Sequence, residues 1–91
     1  MLLLNTDFSA DEKDTLNIFV QRYNMEIQII YSIVPEKLNG IEKPNRMILA
    51  GGLYLCEEKD ELQTWNMGQF FNGRYDFWGN YGDLNSALAG L

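Results

Sequence analysis

Phe70-Phe71-Asn72-Gly73-Arg74-Tyr75-Asp76-Phe77-Trp78 sets an Asn-Gly pair between two aromatic runs. A two-residue type I′ turn needs positive φ at both central positions, and Asn and Gly tolerate it best. The stretch therefore predicts a β-hairpin bent at Asn72-Gly73. One arm is expected over Leu62 to Phe71, interrupted at Gly68. The other starts at Tyr75, with Tyr75 and Phe77 facing inward, or Asp76 and Trp78 in the opposite register. Side chains alternate along a strand, so one of Phe70/Phe71 and one of Phe77/Trp78 must face away from the core unless a bulge intervenes.

Upstream, Met47 to Cys56 is apolar with Gly51-Gly52 at its centre. It reads as one strand with a bulge at the glycines or as two strands turning there. The single strand is preferred, because Glu57-Glu58-Lys59-Asp60 makes a natural charged turn. Glu36 to Asn45 is rich in Lys, Glu, Asn, Gly and Pro and predicts an exposed loop. Before it, Met25, Ile27, Ile29, Tyr31 and Ile33 recur with period two and predict a strand ended by Pro35.

Two helices flank the strands. Ser9-Ala10-Asp11-Glu12 has the form of a capping box, with Phe8 before it placed for a hydrophobic staple. Leu16, Phe19, Val20 and Tyr23 follow at helical spacing, so a helix is expected from about Ser9 to Tyr23, stopped by Asn24. Asp83 can cap a second, carrying Leu84, Ala87, Leu88 and Leu91 on one face. The predicted fold is α+β in a single domain, 1–91. Its four-stranded antiparallel meander has an N-terminal and a C-terminal helix on its apolar face, in the order αββββα.

The 91 residues hold thirteen acidic and seven basic side chains, a net charge of −6, with no histidine and one cysteine. The commonest general acid/base and metal ligand is thus missing, and no disulfide can form within the chain. No Walker loop, GxGxxG run, nucleophile elbow or Cys/His metal spacing occurs. Asp76, Asn80, Asp83 and Asn85 do not have the spacing of a calcium loop. The expectation is a binding protein, not an enzyme, with no cofactor and no metal. No apolar run approaches a membrane span, and Met1-Leu2-Leu3-Leu4 lacks the basic flank of a signal peptide, so a cytoplasmic protein is expected. Cys56 reads as a small buried hydrophobe whose pKa Glu57 and Glu58 raise.

The charge repels nucleic acid and anionic lipid; its direct reading is solubility, and its sharper reading is steering toward a basic protein surface. Two patches are the candidate partner-binding residues. One is Glu57, Glu58, Asp60 and Glu61, which otherwise make a solvated turn. The other is Asp76, Trp78, Tyr81 and Asp83, where aromatic rings stand beside carboxylates in the manner of an interface hot spot. Asp7, Asp11, Glu12 and Asp14 form a third cluster, much of it explained by helix capping. With Arg74 the only cation in that region, the rings do not make a nucleic-acid stacking platform.

Trp65-Asn66-Met67-Gly68, then Asn72 through Leu84, then Ala87-Leu88 and Leu91 resemble the C-terminal hairpin and helix of small bacterial immunity proteins. These are cytosolic antidotes to polymorphic or contact-dependent toxins. The resemblance covers about a third of the chain and transfers no individual binding residue. It implies a one-to-one inhibitor of a basic toxin domain, often a nuclease, with no direct contact to nucleic acid or membrane. Phage inhibitors of host defence nucleases share the look. A homodimer formed through a strand edge is the reading from a different class; a monomer or weak homodimer is expected.

Overall fold

A short arm, Leu2–Leu3 (β1), leads into the first helix, Ala10–Tyr23 (α1). The structure is a computed structural model and describes residues 1–38 and 42–91. Both halves of the predicted capping box form: Ser9 Oγ accepts the Glu12 amide at 3.1 Å, and Glu12 Oε1 accepts the Ser9 amide at 2.9 Å. Asn24 closes the helix in the left-handed conformation, φ 51°. The buried stripe is narrower than predicted. Leu16 and Phe19 are buried, whereas Val20 and Tyr23 are exposed.

The predicted strand Met25 to Ile33 is two strands, Ile27–Ile30 (β2) and Ser32–Ile33 (β3). At Tyr31 the chain leaves one sheet for another: β2 pairs with the main sheet, β3 with β1, and the Leu4 amide bonds the Tyr31 carbonyl at 2.8 Å. The period of two therefore breaks, and Tyr31 is exposed. The loop expected over Glu36 to Asn45 opens with a 3-10 helix, Pro35–Leu38. Its residues 39–41 lie outside the described residues.

Met47–Ala50 (β4) and Leu53–Glu57 (β5) form a hairpin, which corrects the preference for one continuous strand. Gly51 and Gly52 lie at φ +58° and +84°, the two positive values that a type I′ turn demands. Trp65–Phe71 (β6) and Arg74–Tyr81 (β7) make the predicted hairpin, with Asn72 at φ 51° and Gly73 at 77°. Leu84–Ala89 (α2) follows, with Asp83 as its N-cap. The expected four-stranded meander is thus a five-stranded antiparallel sheet, order β2-β4-β5-β6-β7, plus the two-stranded β1-β3 ribbon.

The sheet is covered on both faces. On one, both helices bring Leu16, Phe19, Leu84, Ala87 and Leu88 onto Ile48, Leu55, Trp65 and Met67. On the other, the β1-β3 ribbon and the 3-10 helix bring Leu4, Ile33 and Leu38 onto Met47, Cys56 and Tyr75. A strand buried on both faces reads as a continuous apolar run, which is what Met47-Ile48-Leu49-Ala50 is.

The β6–β7 ladder shifts register once. Met67 pairs with Gly79 and Gly68 with Phe77, so Trp78 has no opposite number. Gly68 allows this close packing, since a Cβ there would fall 2.4 Å from the Asp76 carbonyl oxygen and 2.7 Å from the Tyr75 ring. Tyr75 is buried as expected. Phe77, expected inward, is 50% exposed, and Trp78 is 61% exposed. Among the described residues no helix is long and apolar enough to cross a membrane.

Candidate functional site

Glu57 does not lie in a solvated turn. It ends β5, is 1% exposed, and meets Arg46, the last residue before β4, across the hairpin. Arg46 Nε donates to Glu57 Oε1 at 2.7 Å and Nη2 to Oε2 at 2.6 Å. The same guanidinium reaches α1: Nη1 and Nη2 donate to the two Glu12 oxygens at 2.8 Å each, and Nη1 also donates to the Asp7 carbonyl at 3.1 Å. All five N–H groups of the fork are engaged. Its carbon lies 4.5 Å from the Phe8 ring centre and 5.3 Å from that of Trp65.

The charges fit this geometry. Burial alone would raise the Glu57 carboxyl, but hydrogen bonds from Arg46, the Gln63 amide and Asn45 together hold it below the usual range. The Arg46 hydrogen bonds are the main cause lowering Glu12. Glu57, chiefly, pushes the Arg46 guanidinium up against its own desolvation. A buried carboxylate so paired is structural, and Glu12 leaves the N-terminal acidic cluster for the same reason.

Two more of the candidates are engaged in the fold. Asp83 Oδ1 accepts the Ser86 amide at 2.6 Å, and that bond lowers its pKa. Tyr81 is half-buried against the helix-side core. Its ring fills the space where a Cβ on Gly90 would sit, 2.5 Å from the hydroxyl.

The rest remain at the surface. Glu58, half-buried, follows Glu57, and Asp60 and Glu61 are exposed. Glu58 Oε1 accepts from Asn66 Nδ2 at 3.2 Å and lies 3.5 Å from Asn80 Nδ2. Asn66 Oδ1 in turn accepts the Tyr75 hydroxyl at 2.9 Å, so a buried polar chain holds Glu58 in place. Burial pushes the Tyr75 hydroxyl up, and pushes the Cys56 thiol up to about 12. Cys56 is the inert buried residue expected, though Glu58 contributes least to its shift and burial most.

Glu58 and Asp60 line a cleft of about 290 Å³ with Glu42, Lys59 and Phe77, floored by Cys56 and Asn66. Glu57 borders it too, with its carboxylate committed to Arg46. A row of rings leads there across the sheet: Tyr54–Phe70 at 4.7 Å, Phe70–Tyr75 at 5.3 Å and Tyr75–Phe77 at 5.8 Å. Phe77 ends the row and is half exposed. Acidic and aromatic residues from opposite ends of the β5–β7 sequence thus share one concave surface. A larger hollow, about 580 Å³, lies between α1 and β2, but among the described residues Glu26 is its only charged one.

Asp76 and Trp78 stand outside this cleft, on the exposed outer strand β7. Arg74 Nε lies 3.3 Å from Asp76 Oδ1. Sequence reasoning missed Glu42, Asn66 and Phe77 as cleft residues, and it missed Arg46 altogether. The one signal for Arg46 was an arginine directly before a fully apolar run, where a charge is costly unless paired.

No family model, curated protein or solved structure matches the chain.

Proposed function

We propose that this chain is an acidic inhibitor that neutralises a basic protein by covering its active surface, as an immunity protein blocks a toxin domain. A nuclease is the leading class of target. The observation that carries the reading is the cleft in which Glu58, Asp60 and Phe77 converge. A nuclease presents Lys and Arg to hold phosphates. One such side chain entering the cleft meets carboxylates and a ring face together, and cation–π attraction adds about 0.5–2 kcal/mol to the charge pairing. Trp78, exposed on the same strand as Phe77, supplies an apolar anchor. The net charge of −6 steers encounter with such a surface.

The reading is of a cytoplasmic binding protein with no catalytic step, and acid on a fixed scaffold supports it. Co-purification of the tagged protein from its native cells, at low and moderate salt, tests it. A stoichiometric basic protein that is released as salt rises is expected. Recovery of the chain alone, as monomer or homodimer, at both salts overturns it.

A further inference from the structure

A hydroxyl and an amide are buried on the sheet face that carries the β1-β3 ribbon. Tyr75 is 1% exposed and Asn66 7%. Asn66 stands opposite Cys56 in the ladder, and Cys56 opposite Met47, so its row is otherwise apolar. Burying such polar groups is costly unless they are hydrogen-bonded, and a Phe and a Leu would fill similar space without that cost. Here the two groups form one directed chain. The Tyr75 hydroxyl donates to Asn66 Oδ1 at 2.9 Å, and Asn66 Nδ2 donates to Glu58 Oε1 at 3.2 Å. With its oxygen taken by Tyr75, the Asn66 amide turns its nitrogen toward Glu58.

The chain ends at the acidic cleft, which Glu42, Glu58 and Asp60 all line. Among the described residues, Glu58 alone of these accepts a side-chain hydrogen bond, and its own amide is tied to the Thr64 carbonyl at 2.8 Å. One carboxylate is thus held at backbone and side chain, whereas Asp60 is exposed. We infer that Asn66 and Tyr75 are positioning residues that preset the Glu58 carboxylate for a Lys or Arg of the partner, an inference that rests on the acidic-inhibitor reading above. A group already locked by buried hydrogen bonds loses less freedom on binding. Immobilising a mobile side chain instead weakens affinity about two- to tenfold.

The test titrates a tetra-arginine peptide at low salt in a double-mutant cycle. Tyr75→Phe deletes one buried oxygen, and Glu58→Ala removes the carboxylate through which it acts. Tyr75→Phe is expected to weaken binding about two- to tenfold in the otherwise wild-type chain and to have no effect in the Glu58→Ala background. Asn66→Leu should show the same dependence on Glu58, and it decides the matter if Tyr75→Phe fails to fold. Leu88→Ala, which loosens the opposite face, should leave the affinity of the folded protein unchanged. Equal losses from Tyr75→Phe with and without Glu58 overturn the positioning role, as does unchanged affinity in both Tyr75→Phe and Asn66→Leu. In either case the acidic cleft stands as the binding surface. Failure of the wild-type chain to bind tetra-arginine, or binding indifferent to Glu58→Ala, overturns the cleft as a cation site and the positioning role with it.

Discussion

Arg46 and Glu57 meet through two parallel hydrogen bonds, 2.7 Å and 2.6 Å, in a site that leaves Glu57 1% exposed. The second fork of the same guanidinium fixes Glu12, which also caps α1. One side chain thereby ties the first helix to the centre of the sheet. Arg46→Met is expected to cost about 3–5 kcal/mol, since it leaves Glu57 buried and unpaired. Urea denaturation measures it. Arg46→Lys recovers little, because an ammonium cannot reproduce two planar forks. Arg46→Met combined with Glu57→Leu is expected to regain more than half of the loss. Wild-type stability in the single Arg46→Met variant contradicts this account.

The same pair sets a pH dependence. Glu12 and Glu57 have folded pKa values below their ordinary ones, so at low pH the unfolded chain binds more protons than the folded one. Their contribution is complete above the ordinary glutamate value, about 4.3, and is lost as pH falls through the depressed folded values. The urea midpoint is therefore expected to be level from about pH 6 to 8 and to drop steadily below about pH 4.5. In Arg46→Met the acid-side drop should shrink or invert. A level wild-type midpoint down to about pH 3 contradicts the assignment.

Gly68→Ala tests the packing that creates the bulge. Its Cβ would lie 2.4 Å from the Asp76 carbonyl oxygen, a backbone atom with little room to move. Overpacking of this kind costs about 1–3 kcal/mol, and a shift in the β6–β7 ladder should change the exposure of Trp78. Thermal unfolding and Trp78 fluorescence quenching read the two effects, with Trp65 buried as the internal reference. An unchanged melting temperature and quenching would remove Gly68 as the cause of the register shift.

Leu88→Ala probes α2. Leu88 is fully buried beneath a helix of six residues, so its loss is expected to cost about 2–5 kcal/mol. Denaturant titration checks this, and full retention of stability contradicts the packing described for that helix.

What could be read from the sequence was local. The Ser9–Glu12 box, the Asn72-Gly73 turn and the Asp83 cap each involve residues at most four positions apart, and each forms as predicted. Gly51-Gly52 carried the correct signal as well, but the charged run after it looked like the better turn. Glu57 was misplaced because its partner lies eleven residues away and Glu12 lies thirty-four from Arg46, separations that no spacing rule covers. The second apolar face was hidden by a different cause. Met25 to Ile33 alternates as if one face were buried throughout, yet the chain changes sheets at Tyr31, and Ile33 enters the core of the opposite side. The cleft follows from that arrangement, since Glu58 and Phe77 come together only once β5, β6 and β7 are side by side.

The most direct measurement compares the wild-type chain with a Glu58→Lys/Asp60→Lys variant as bait in native-cell extracts, at low and moderate salt. Both carboxylates lie outside the Arg46 knot, but Glu58 also accepts from the buried Asn66 amide, so the variant should stay folded at a cost of about 1–3 kcal/mol. The account predicts that the wild type retains a stoichiometric basic protein at low salt, that rising salt weakens the complex, and that the variant retains almost none. Equal retention of the same protein by a folded variant, at both salts, would contradict the claim that this cleft is the surface that binds it.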